Sequence, residues 1–235
     1  MLSTVKQSLK YLADSGCRGF DCSAESALKV GEWVKAAGGR PVPETMADIQ
    51  SDLKECRRCT LHETRTHVVL GEGDLRARLV FVGEGPGYEE DRQGRPFVGA
   101  AGQLLTKIIQ AMNLRREDVY ICNIIKCRPP GNRNPKPAEI KACKPFLVRQ
   151  LRVIRPEIIC ALGTFAAQTL LKSDTPISRL RGNFFDFMGA RILPTYHPAY
   201  LLRNPDKKRD VWEDMKKLMR ALNLDSGPAE TSEGN

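Results

Sequence analysis

Two kinds of apolar spacing alternate along this 235-residue chain. Short continuous runs have the length and β-branched content of buried strands: Leu79-Val80-Phe81-Val82, Val119-Tyr120-Ile121, Ile158-Ile159-Cys160-Ala161-Leu162 and Arg191-Ile192-Leu193. Between them lie stripes at helical spacing. Leu104, Leu105, Ile108, Ile109 and Met112 share one face of 101–112, and Val211, Met215, Leu218, Met219 and Leu222 share one face of 207–222. Strands alternating with helices predict βαβ units and an α/β fold with a mostly parallel sheet covered on both faces. Ligands in such sheets bind beyond the carboxyl ends of the strands, and the glycine-rich and polar motifs here all follow strands.

Ahead of this pattern, 3–13 and 23–36 have helix-like spacing, joined by a turn at Gly16–Ser23 and followed by the linker Gly38-Gly39-Arg40-Pro41-Val42-Pro43. A helix is expected from about Met46 to Lys54. The domain reading is therefore a helical extension and linker at 1–45, a main domain at 46–222, and a small, polar, disordered tail at 223–235. No internal repeat is visible.

Composition narrows the setting. No apolar run approaches the roughly 20 residues needed to span a bilayer, and 1–10 lacks the apolar core of a secretory signal. Eight cysteines without an export signal predict a reducing, cytoplasmic location. The net charge of +9 is concentrated. Lys126, Arg128, Arg133, Lys136, Lys141, Lys144, Arg149, Arg152 and Arg155 face a single acid, Glu139, within 126–155. A solvated helix face is the bland explanation, but so dense a segment points to a polyanion, nucleic acid before membrane.

Gly83-Glu84-Gly85-Pro86-Gly87-Tyr88-Glu89-Glu90-Asp91 follows the first strand directly. Gly-rich turns after strands often cradle phosphate, but this one carries four carboxylates and a proline that removes an amide donor. Its charge suits a developing cation, such as the oxocarbenium-like sugar formed when a glycosidic bond breaks.

Cys56, Cys59, Cys127 and Cys143 are spaced C-x2-C, then 67 residues, then C-x15-C. That spacing suits neither a disulfide framework nor a compact zinc ribbon, and leaves zinc or an iron–sulfur cluster as the group to be held. Cys122 and Cys160 fall within strands and read as buried hydrophobes; Cys17 and Cys22 lack two further ligands.

Together, ECRRC at 55–59, the acidic turn, GRPFVGAAGQLL at 94–105, CNIIKCRPPGNRNP at 122–135, Cys143 and HPAYLLRN at 197–204 resemble the iron–sulfur, or family 4, uracil-DNA glycosylases. The match covers about three quarters of the chain and leaves the N-terminal extension outside it. The resemblance implies a three-layer α/β/α sandwich that flips uracil out of single- or double-stranded DNA and hydrolyses its N-glycosidic bond. It also implies a [4Fe–4S] cluster on Cys56, Cys59, Cys127 and Cys143. Phe97 would stack on the flipped ring, and Asn123 would read N3–H and O4 of uracil. His197, with the Gly85 amide, would stabilise the anionic leaving group, and Glu84 the sugar cation. Gly83 would belong to the same pocket, and Glu90 would wall the C5 side. Leu201 would fill the gap left by the extruded base, with Arg128, Arg133 and Arg203 on the DNA.

A monomer is expected, and the N-terminal helices are a candidate contact for a replication or repair partner. Two other readings stand beside the glycosylase. One is a covalently trapping uracil binder, whose branch of the superfamily carries a histidine in the loop after the asparagine strand; the loop 129–135 here has none. The other is a structural iron–sulfur accessory.

Overall fold

The computed structural model describes residues 44–224, so the expected helices at 3–13 and 23–36, Cys17, Cys22 and the tail from Asp225 lie outside the described residues. Thr45 starts the first helix, α1 (Met46–Lys54), with a capping box. Its hydroxyl accepts from the Asp48 amide, and the Asp48 carboxylate accepts from the Thr45 amide. Met46, Ile49 and Leu53, at helical spacing, are its buried stripe.

Six strands follow: β1 (Glu72–Gly73), β2 (Leu79–Gly83), β3 (Tyr120–Asn123), β4 (Ile158–Leu162), β5 (Phe185–Phe187) and β6 (Ala190–Thr195). They form one sheet in the order β1-β3-β2-β4-β6-β5. The four central strands are parallel, and the short edge strands β1 and β5 pair antiparallel. The remaining helices are α2 (Tyr88–Gln93), α3 (Ala100–Ala111), α4 (Pro137–Ile154), α5 (Thr164–Leu171), α6 (Ile177–Leu180), α7 (Pro198–Arg203) and α8 (Lys208–Ala221).

Strand side chains alternate between two separate cores, as the pleat requires. Val80, Val82, Tyr120, Cys122, Ile159, Ala161 and Ile192 pack with residues of α1, α4 and α5. Phe81, Ile121, Ile158, Cys160, Leu162 and Leu193 pack with residues of α3, α7 and α8. This is a three-layer α/β/α sandwich. Both faces of the sheet are covered, which explains why its strands read as continuous apolar runs.

The 18-residue helix α4 takes up most of 126–155, the segment read from the sequence as basic and facing a polyanion. Pro137 occupies its first turn, where a missing amide proton is harmless, and Glu139, Cys143, Phe146, Leu147, Gln150, Leu151 and Ile154 make its buried stripe. Cys143 is therefore a helix residue. Four of the nine cations turn inward or pair. Lys126 is fully buried, Arg133 binds Glu139, Lys144 donates to the Thr169 carbonyl, and Arg149 pairs with Glu44 and Asp52. Lys136, Lys141, Arg152 and Arg155 stay exposed.

Parallel register brings the strand ends level. Gly83 pairs with Asn123, Val82 with Ala161, and Leu162 with Thr195. The chain runs from β2 to β3 on one side and then crosses to β4 on the other, so a crevice opens between the ends of β2 and β4.

Candidate active site

A cavity of about 760 Å³ opens above these strand ends. Glu84, Gly85 and Glu90 line it from the turn after β2, Asn123 from the end of β3, Gly163 from the end of β4, and His197 from the segment after β6. Phe97, Arg133 and Arg203 also line it, and Gly83 lies against two of its walls.

Asn123 is 1 % exposed, yet neither its side-chain oxygen nor its side-chain nitrogen has a hydrogen-bond partner. Buried amides are normally satisfied, because an unmade bond costs about 1–3 kcal/mol. An unpaired donor and acceptor side by side suit a ligand that presents the complementary pair. A side chain at Gly83 would collide with Asn123 Oδ1 and would lie 2.5 Å from Phe97 Cζ, so glycine there lets the amide and the ring close over the strand end.

Phe97 holds a left-handed backbone (φ 50°) that is strained for a bulky residue. Its turn is braced: Arg116 donates to the Pro96 carbonyl and to Glu72, and Glu72 takes two further bonds from Arg95. The Phe97 ring lies 5.6 Å from the His197 ring, tilted by 31°.

His197 caps α7, and its Nδ1 accepts from the Ala199 amide at 3.1 Å. A neutral ring that accepts at Nδ1 carries its proton on Nε2. Loss of water pushes its pKa from 6.5 down to about 4, and the nearby charge of Arg203 acts in the same direction. The ring is thus a neutral Nε2–H donor at neutral pH. The chain passes close by here: a side chain on Gly163, which has φ +88°, would lie 2.9 Å from His197 Cβ.

Of the four carboxylates in the acidic turn, three are engaged. Glu89 pairs with Arg92. Glu90 accepts from the Gly87, Val98 and Gly99 amides at 2.9–3.1 Å. Asp91 is buried and accepts from the Thr66 and His67 amides. Glu84 alone of the four has no such partner among the described residues, and burial pushes its pKa from 4.5 up to about 7.

Two of the expected DNA contacts are engaged with the protein itself. Leu201 is 1 % exposed and packs in the core beneath α7, so it cannot enter a DNA stack without leaving that core; its neighbour Leu202, 47 % exposed, is the free leucine. Arg133 lines the cavity but makes a bidentate pair with Glu139, which is buried. Arg128 sits 5.0 Å from the exposed Tyr88 ring, and Arg203 is exposed. Tyr196 and Tyr200, stacked 5.0 Å apart, line the cavity too and were not singled out from the sequence. Their signal was an aromatic on each side of His197-Pro198.

Cys127 and Cys143 belong to the core shared with α1 and α4, and Cys56 and Cys59 pack against it. Cys56 and Cys59 are half-buried, Cys127 and Cys143 are buried, and all four are free thiols. Each of Cys59, Cys127 and Cys143 feels the charge of at least one of the others. Cationic or polar donors reach the sulfurs: Arg65 Nη1 lies 3.3 Å from Cys127 Sγ, and the Lys126 amide lies 3.2 Å from Cys143 Sγ. Among the described residues no group of three or more His, Cys, Asp or Glu is placed to hold a metal ion. The fit to a thiolate-bound group rests instead on these donors, since N–H groups aimed at sulfur favour its anionic form. Lys126 is fully buried and donates to the Asn123 carbonyl; burial pushes its pKa down, and the nearby sulfurs of Cys122, Cys143 and Cys127 oppose that shift.

Residues 70–216 match the Uracil DNA glycosylase superfamily, and the chain belongs to it. Several of its relatives are type-4 uracil-DNA glycosylases. The chain is 50 % identical over 178 residues to a type-4 uracil-DNA glycosylase of Thermotoga maritima, covering 74 % of this chain and 93 % of that protein. It is 45 % identical over 183 residues to a type-4 uracil-DNA glycosylase of Archaeoglobus fulgidus, covering 74 % and 92 %. A type-5 uracil-DNA glycosylase of Pyrobaculum aerophilum is more distant, 33 % identical over 172 residues. No helix among the described residues is long and apolar enough to cross a membrane.

Proposed function

We propose that this chain, a uracil-DNA glycosylase of base excision repair, receives an everted uracil in the cavity above β2 and β4 and hydrolyses its bond to deoxyribose. The observation that carries the reading is the unpaired buried amide of Asn123. Uracil offers a donor at N3 and an acceptor at O4, which complete both halves of that amide. Cytosine offers the reverse, which the amide held in this orientation leaves unmet.

Phe97 stacks on the ring from a turn that its neighbours hold rigid. His197 donates from Nε2 to O2 as negative charge gathers on the leaving base, and the Gly85 amide helps. A neutral donor suits this role, since it stabilises the anion without surrendering a proton early. Ionised Glu84 stabilises the cationic sugar. The other carboxylates of the turn are occupied, so the route is dissociative and electrostatic, without a strong general base. Glu90, gripped by three amides, walls the C5 side against a methyl group. Arg128 and Arg203 contact DNA phosphates together with the exposed cations of α4.

Cys56, Cys59, Cys127 and Cys143 hold a [4Fe–4S] cluster, which would supply structural cross-linking and local negative charge rather than chemistry on the substrate. The enzyme acts in the cytoplasm as a monomer, on single- or double-stranded DNA. Residues 46–222 form the glycosylase domain, and residues 1–45 offer a contact to a replication or repair partner.

The test is a uracil-containing oligonucleotide treated with the protein and then with alkali. Strand scission at uracil is expected, and an intact strand refutes the reading. A visible spectrum with iron and zinc assays on fresh protein tests the cluster separately.

A further inference from the structure

Two aromatic pairs line the cavity, and the proposed reaction uses only one of them. Phe97 and His197, 5.6 Å apart, belong to the uracil pocket. Tyr196 and Tyr200, 5.0 Å apart with their rings tilted by 31°, line the same cavity and have no part in reading the base. The cavity has room for more than a single ring. Its volume of about 760 Å³ is one that a whole drug-sized ligand fills. Asn123 ends β3 and Thr195 ends β6, three strand spacings apart in the sheet, or about 14 Å. Tyr196 follows Thr195 directly, at the far end of that span from the base-reading amide.

The second pair is braced. Arg181 lies 5.4 Å from the centre of the Tyr196 ring and makes a bidentate pair with Asp214, which is buried and also accepts from the Thr195 hydroxyl at 2.7 Å. Tyr200 sits on α7, the helix capped by His197, and its carbonyl accepts two bonds from Asn204. One short helix thus fixes an aromatic ring relative to the leaving-group donor. Both tyrosines are half-buried, packed on the core on one side and open to the cavity on the other. Fixed aromatic rings beside an exposed arginine, here Arg203, are the makings of a stacking platform for single-stranded nucleic acid.

We infer that Tyr196 and Tyr200 form a second subsite, which stacks the base next to uracil on the same strand. It takes a nucleobase of any identity, because every base has a π-face. Holding the neighbour keeps the strand splayed while uracil occupies its pocket. The inference rests on the uracil pocket proposed above.

The test uses the full chain and single-stranded oligonucleotides carrying uncleavable 2′-fluoro-deoxyuridine. The neighbouring nucleotide, first on the 5′ side and then on the 3′ side, is replaced by an abasic tetrahydrofuran spacer. Wild-type affinity should fall about 10-fold for one of the two spacers, within the range lost when base–aromatic stacking is removed. Tyr200→Ala should bind the intact oligonucleotide about 10-fold more weakly and lose nothing further with either spacer. Tyr200→Phe keeps the ring face and should stay within about 3-fold of wild type. Wild-type affinity unchanged by both spacers, or a spacer effect undiminished in Tyr200→Ala, overturns the inference. If Tyr200→Ala does not fold, Tyr200→Leu, which keeps apolar bulk against the core, takes its place. Alkali scission at uracil by the wild-type protein tests the pocket separately, so cleavage without a spacer effect refutes the subsite alone.

Discussion

Replacing Glu84 by glutamine should make the protein more stable and less active at the same time, in a manner set by pH. Burial raises the Glu84 pKa from 4.5 to about 7. Below pH 4.5 the carboxyl is protonated in the folded and unfolded chain alike, so it affects stability little. Between pH 4.5 and 7 the unfolded chain releases the proton while the folded chain keeps it, so stability falls as pH rises. Above pH 7 the folded protein carries the full cost of a poorly hydrated anion. In a dry site that shift corresponds to about 3 kcal/mol; because Glu84 is only half-buried, solvent screening reduces it to about 1–2 kcal/mol. Glutamine has nearly the same shape and no charge. Glu84→Gln should therefore raise Tm by about 2–8 °C at pH 8 and leave it nearly unchanged at pH 4.5. Activity should move the other way. Wild-type kcat/KM should climb through pH 7 as Glu84 ionises, while the variant should be flat there and about 10²–10³-fold slower at pH 8. Paired thermal melts and alkali-scission rates at the two pH values measure both effects. Equal changes in Tm at pH 4.5 and pH 8 would falsify the assignment of Glu84 as an anion held at a cost for catalysis.

Other substitutions separate structural from functional roles. Arg133→Ala should lower the midpoint of a denaturant titration, because it removes the bidentate partner of the Glu139 carboxylate; a loss confined to DNA affinity would contradict the pairing. Gly83→Ala drives a methyl group into Phe97 and Asn123. It should cost about 1–3 kcal/mol and lower kcat/KM for uracil without changing the salt dependence of DNA binding. Leu201→Ala should lose about 2–5 kcal/mol of stability as a core truncation, whereas Leu202→Ala should leave Tm within about 1 °C. Arg128→Ala should weaken binding to uracil-containing and uracil-free DNA equally and flatten the log Kd against log salt slope by about 0.7–0.9; unequal weakening would make Arg128 a base-reading residue instead.

The apolar runs located the four parallel strands within a residue or two because each strand is buried on both faces and has almost no polar position to mislead. The edge strands β1 and β5 escaped notice for the opposite reason. Glu72-Gly73 is two residues long, and Phe185-Asp186-Phe187 is three residues with an exposed centre, too short for any period to register. Helix α4 was obscured by its own chemistry: Pro145 sits inside it, and its cations read as surface while Lys144 and Arg149 fold back onto protein partners. At the site, glycine and carboxylate composition pointed to the acidic turn. Which carboxylate stays free depends on amides from 66–67 and 98–99, brought in by the fold. Leu201 and Leu202 look alike in the chain, and only the phase of α7 against α3 and α8 decides which one is buried. Lys126 looked like one more phosphate contact, since nothing in a linear run marks a lysine that points inward.

On the proposed reading, helix α2 sets selectivity by more than the outline of the pocket. Glu90 grips amides at 87, 98 and 99, and Asp91 grips those at 66 and 67, so this short helix is moored to two flanking stretches of chain. Admitting a bulkier pyrimidine on that side would require several of these moorings to give way together. If Glu90 walls the C5 side as proposed, refusal of such a base is a matter of mechanical stiffness, and softening either carboxylate should broaden the diet of the enzyme before it abolishes its appetite for uracil.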